Sequence, residues 1–284
     1  MTTLRTTLTT LTTRTTHTTR TTLATLFIVL LAGCAAPGAR IDTSLSARSQ
    51  SSRVKFVVLH YTVSNLPRSV QILTEQAVSA HYLLTDELEP RAYQLVDETR
   101  QANHAGVSHW KNYTLLNGSS IGIEIVNPGF TVGADGVRTW YPFPQAQIDQ
   151  LILLLKQIVA KHHILPENIL GHSDIAPGRK QDPGPMFPWF QLAQAGLVTW
   201  PDAARMTAAR PQFEALLPDV TWFQKRLAQH GYATPQTGEL DTATRNVLIA
   251  FQMKYRPAII DGAPDAETAA LLDVLTTVPA TPTQ

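Results

Sequence analysis

The stretch VKFVVLHYT, residues 54–62, constrains the fold more than any other. It is β-branched and almost continuously apolar, the pattern of a strand buried on both faces, and it ends at His60. Such a strand needs cover on either side of its sheet, and the residues that follow alternate in type. RSVQILTEQAVSA has helical spacing, and HYLLTDE and RAYQLVDE read as a strand pair around ELEPR. SIGIEIVN alternates, placing Ile121, Ile123 and Ile125 on one face and Gly122, Glu124 and Val126 on the other. PQAQIDQLILLLKQIVAKHH is a long amphipathic helix with proline at its start. Strands interleaved with helices predict an α/β domain with a central mixed sheet flanked by helices.

GHSDIAPGRKQDPGP, residues 171–185, holds three prolines and three glycines and is too broken for a helix. It reads as an ordered loop of fixed turns carrying His172, Asp174, Arg179, Lys180 and Asp182. His60, His172 and Asp182 together offer two imidazoles and a carboxylate. With an open position for water, that is a ligand set for catalytic zinc. The residues alone leave alternatives standing. A histidine at a strand end is often only structural, and Asp174 is either a rival ligand or a turn residue that orients His172. His81 reads as a buried, hydrogen-bonded core histidine. The one cysteine, Cys34, rules out an internal disulfide and a thiolate metal site in the folded region. A net charge of +1 gives no basis for electrostatic binding to nucleic acid. No H-E-x-x-H helix supports a zinc peptidase.

The N-terminal 22 residues are a Thr-rich, low-complexity run charged only by Arg5, Arg14 and Arg20, followed by the short apolar LATLFIVLLAG. This is the layout of a secretory signal peptide. The run Leu31-Ala32-Gly33-Cys34 resembles the bacterial lipobox, which implies cleavage before Cys34 and lipid on its sulfur. Ala35 after the cysteine fits sorting to the outer membrane, giving a periplasmic protein anchored through lipid. APGARIDTSLSARSQSS reads as a polar tether. Beyond TWPDAARMTAARPQFEA, taken as a linker, VTWFQKRLAQHGY, DTATRNVLIAFQMKY and DAETAALLDVL predict a small three-helix unit. Its expected core includes Phe223, Leu227, Val247, Phe251 and Leu272. The predicted layout is 1–33 signal peptide, 34–52 tether, 53–198 α/β domain, 199–217 linker, 218–276 helical domain and 277–284 tail.

The motifs FVVLHYT, AVSAHYLL, NHAGVSHW, SIGIEIVNPG and GHSDIAPGRKQDPGP occur in that order. The series resembles the zinc-dependent N-acetylmuramoyl-L-alanine amidases of the second amidase type, whose fold the mammalian peptidoglycan-recognition proteins share. The resemblance implies Zn2+ held by His60, His172 and Asp182, a catalytic acidic residue at Glu124 and a catalytic lysine at Lys180. It implies a substrate contact at His104, where Asn103 stands in place of the family's usual tryptophan. Arg179 is expected to clamp a stem-peptide carboxylate. The C-terminal unit resembles a three-helix peptidoglycan-binding module. The implied activity is hydrolysis of the bond between N-acetylmuramic acid and L-alanine in peptidoglycan or muropeptides, by a monomer. The alternative is a non-catalytic recognition protein of the same fold, which can dispense with a ligand that is present here.

Overall fold

The computed structural model describes residues 39–277. The signal peptide and Cys34 fall outside the described residues, as does the tail from 278. The chain divides between Ser49 and Gln50. The described residues 39–49 are exposed and carry no helix or strand.

From Gln50 the elements run β1 (Phe56–Tyr61), α1 (Leu66–Glu75), β2 (Tyr82–Leu84), β3 (Ala92–Gln94), β4 (His109–Trp110), β5 (Tyr113–Thr114), β6 (Ser120–Ile125), β7 (Phe130–Val132), β8 (Arg138–Trp140), α2 (Gln145–His162), β9 (Ile169–Gly171), α3 (His172–Ile175), α4 (Trp189–Gln194), α5 (Ala203–Ala215), α6 (Val220–His230), α7 (Thr242–Tyr255) and α8 (Ala266–Thr276). Five strands form the central sheet in the order β3-β2-β6-β1-β9. β1 is parallel to β6 and β9, β2 is parallel to β6, and β3 alone runs antiparallel, so the sheet is mixed as expected.

All six residues of β1 are buried, and their alternation assigns them to two cores. Val57 and Leu59 pack with Ile148, Leu151, Leu155 and Ile158 of α2. Phe56 and Val58 share a core with Trp110 and with Phe223, Leu227 and Phe251 of the C-terminal helices. Each such side chain contributes about 1.5–3 kcal/mol by leaving water. The C-terminal helices therefore cover the second face of the sheet instead of forming a core of their own. Each starts at an aspartate: Asp219, Asp241 and Asp265 accept the backbone N–H three residues on.

Two expectations are corrected. Residues 199–217, read as a linker, are mostly α5. Asp202 caps that helix, and Phe213 is buried against the C-terminal core with Met206 and Ala209 beside it. Its apolar residues form no clear stripe and Pro211 lies inside it, so the pattern hides the helix. The loop at 171–185 also contains one helical turn, α3, because the Asp174 carboxylate accepts the Gly171 N–H at 2.8 Å.

Candidate metal centre

β1 and β6 run parallel with His60 in register with Glu124, so both side chains leave the sheet on one face. β9, on the other side of β1, delivers His172 directly after its last residue. The following loop returns Asp182, whose carbonyl accepts the Ser173 N–H at 2.9 Å. His60 Nδ1, His172 Nδ1 and Asp182 Oδ2 consequently lie 2.9, 2.9 and 3.0 Å apart. Among the described residues this is the one cluster of side chains able to hold a metal ion, and all three members are buried.

Hydrogen bonds behind the cluster fix which ring nitrogen bears a proton. The Ser120 hydroxyl donates to the Leu116 carbonyl at 2.6 Å, so its oxygen accepts His104 Nε2–H at 3.1 Å. His104 Nδ1 is then an acceptor and takes His60 Nε2–H at 3.0 Å. His172 Nε2–H donates to the Ala105 carbonyl at 3.1 Å. Both Nδ1 atoms therefore present lone pairs to the same point as a carboxylate oxygen. Burial, and then the neighbouring His172, lowers His60 to about 4, which keeps the ring neutral. Burial, and then His60, holds His104 well below the usual histidine range. Three converging electron-pair donors with no hydrogen between them repel one another unless a cation joins them. Two neutral imidazoles and one carboxylate suit zinc, whose ligand atoms at about 2.0–2.2 Å lie roughly 3.3 Å apart in a tetrahedron.

The cluster opens into a cavity of about 210 Å³ lined also by Glu124, Lys180 and His104. Glu124 Oε2 is buried and has no hydrogen-bond partner. Burial, then the charge of Asp182, raises the Glu124 carboxyl well above its usual range, and Lys180 opposes this. Lys180 is fixed through its backbone, whose N–H donates to the Ala176 carbonyl at 3.0 Å.

Other expected residues sit differently. Both nitrogens of His104 are engaged, so only its ring carbons face the cavity. Arg179 Nη2 donates to the carbonyls of Ala105 at 2.8 Å and Val107 at 2.6 Å, clasping the 105–107 turn to the metal loop. Asp174 does not join the cluster, since its oxygens bond Gly171, Tyr232 and Lys254. His81 is a core histidine whose Nδ1 accepts the Gly122 N–H at 3.0 Å. The sequence reading missed Ser120 and Gly122. Gly122 carried a signal: a glycine inside a strand marks a close approach. A Cβ there would lie 2.4 Å from His104 Cγ, so the ring that orients His60 requires glycine.

A family model described as N-acetylmuramoyl-L-alanine amidase matches residues 50–185, and one for a peptidoglycan binding domain matches residues 217–272. The Escherichia coli N-acetylmuramoyl-L-alanine amidase AmiD is 42% identical over 262 residues, covering 87% of this chain and 94% of AmiD. The solved complex of AmiD with its substrate, anhydro-N-acetylmuramic acid-L-Ala-D-gamma-Glu-L-Lys, superposes with a TM-score of 0.76 over 84% of this chain and 94% of that one, at 42% identity. The crystal structure of AmpDh3 from Pseudomonas aeruginosa gives 0.78 over 84% and 98%, at 40% identity. These likenesses extend across both the sheet domain and the C-terminal helices, and on them the chain belongs to the N-acetylmuramoyl-L-alanine amidase family.

Proposed function

We propose that this chain is a zinc-dependent enzyme that cleaves the amide between N-acetylmuramic acid and L-alanine in peptidoglycan fragments during cell-wall turnover. The observation that carries this reading is the unpaired carboxylate of Glu124 beside a complete set of three metal-ligating atoms. A receptor needs neither. The AmiD complex supports a muropeptide as substrate. The match to a peptidoglycan binding domain supports wall contact by the C-terminal helices.

His60, His172 and Asp182 would hold the zinc. Bound there, zinc supplies acidification of water towards pKa ~7 and polarisation of the scissile carbonyl. Glu124 takes the proton of the attacking water at its unpaired oxygen and passes it to the leaving amine nitrogen. Burial favours its protonated form, which suits that second transfer. Lys180, whose charge is felt at both His60 and Glu124, stabilises the oxyanion as it develops. Arg179, with Nη2 committed to carbonyls, meets a stem-peptide carboxylate through Nε and Nη1. His104 touches substrate through its ring carbons.

Incubation of the purified chain with a defined muropeptide is expected to release the free stem peptide and the muramic saccharide, identified by mass. Chelator abolishes the reaction and added zinc restores it, while the apolar cores keep the fold. Full activity in verified metal-free protein overturns the mechanism.

The lipobox reading places the mature chain in the periplasm, held to the outer membrane by lipid on Cys34. With the leader removed, Cys34→Ala is expected in the soluble fraction, sedimenting as a monomer, because the lipid on Cys34 is the proposed anchor. Its retention in washed membranes at the wild-type level overturns the anchor.

A further inference from the structure

Asp174 is 1% exposed, and its carboxylate joins parts of the chain far apart in sequence. Oδ2 accepts from the Gly171 N–H at 2.8 Å and from Lys254 Nζ at 2.9 Å. Oδ1 accepts from the Tyr232 hydroxyl at 2.6 Å. Lys254 is itself 6% exposed; it also donates to the Ile169 carbonyl at 3.3 Å and sits 4.2 Å over the Trp189 ring. Gly171 and Asp174 bracket His172, and their mutual bond closes the turn α3 that presents the imidazole. The two residues that complete this carboxylate's bonding come from the C-terminal helical region, Lys254 from α7 and Tyr232 from just after α6. The same helix α7 lies against the other end of the loop. A Cβ on Gly178, two residues before Lys180, would lie 2.3 Å from Asn246 Nδ2.

We infer that the C-terminal region is a working part of the metal centre, with Lys254 and Tyr232 as positioning residues that hold His172 through Asp174. This rests on the metal reading of His60, His172 and Asp182. A module that only bound wall polymer would need no buried contact with the loop that carries His172. This one instead places a buried cation against the carboxylate two residues from a metal ligand. Removing that cation leaves the Asp174 charge buried and unpaired, so the carboxylate must turn towards another donor and α3 moves with it.

The test uses the full chain and reads the zinc dissociation constant by competition with a chromophoric chelator, alongside the melting temperature of metal-free protein. Lys254→Met is expected to weaken zinc binding about 10–100-fold, the usual cost of losing support behind a metal ligand. Tyr232→Phe, which removes one hydroxyl and no charge, is expected to weaken it less while remaining folded. Lys254→Met combined with Asp174→Asn is expected to recover most of the affinity, because no unpaired charge remains. Leu272→Ala, in the same core but on α8, which carries neither Lys254 nor Tyr232, is expected to lower the melting temperature with zinc affinity unchanged. Wild-type zinc affinity in folded Lys254→Met and Tyr232→Phe overturns the inference. So does an equal loss in Leu272→Ala, which would make the effect general destabilisation. Failure of the wild type to bind zinc overturns the metal reading itself and is distinguishable from both.

Discussion

Glu124→Gln is expected to cut kcat on a muropeptide by about 10²–10⁴-fold, the usual cost of removing a positioned general base. Zinc content and muropeptide affinity should stay at wild-type level. Glu124 lies in register with His60 on the adjacent strand yet makes none of the close contacts within the ligand cluster. One of its oxygens is buried without a partner, so no structural bond depends on it. An amide fills the same space, which separates loss of proton transfer from loss of packing. The checks are steady-state kinetics, metal analysis and calorimetric titration with the muropeptide. Near-wild-type turnover removes Glu124 from the role of base. Loss of zinc would instead place it among the ligands.

The sequence made the sheet legible because β1 and β6 carry patterns that only a covered sheet satisfies. The nearly continuous apolar run at 54–61 needs two cores, and the alternation of Ile121, Ile123 and Ile125 sets the face from which Glu124 emerges. Residue type made His60, His172 and Asp182 candidate ligands, and the family resemblance singled them out from rivals such as Asp174. Their support was not legible. Ser120 and the Ala105 carbonyl act through tertiary hydrogen bonds that leave no trace in spacing. The engagement of His104 by its neighbours could not be read either, since a histidine in a loop motif looks alike whether it faces substrate or orients another ring. The C-terminal helices were recognised by their amphipathic spacing and by resemblance to a peptidoglycan-binding module. Their shared core with Phe56 and Val58, and the bonds from Lys254 and Tyr232 to Asp174, required the fold. α5 was missed for a local reason: Pro211 breaks the helical pattern, and tertiary packing of Phe213 outweighs the lost bond.

His172→Ala is expected to differ in kind from Glu124→Gln, losing bound zinc and all measurable hydrolysis together. Two ligands do not make a closed set, and the other carboxylate of the loop, Asp174, is not available to complete it. Asp174 has both oxygens bonded, to Gly171, Lys254 and Tyr232, and turning it towards the cluster would leave a buried ammonium unpaired. The fold should survive with a modest loss. Removing the imidazole takes its Nε2–H from the Ala105 carbonyl, but Arg179 Nη2 still donates to that carbonyl at 2.8 Å, so the penalty of about 1–3 kcal/mol for an unsatisfied buried acceptor does not arise. The melting temperature of metal-free His172→Ala should therefore stay near that of metal-free wild type, while the stabilisation that zinc gives the wild type is absent. Metal analysis, product mass and thermal denaturation check the three parts separately. A variant that retains a full equivalent of zinc would show that the ligand set is wrong. A variant that loses zinc yet still hydrolyses the amide would show that the chemistry runs without the metal, leaving Glu124 and Lys180 to carry it.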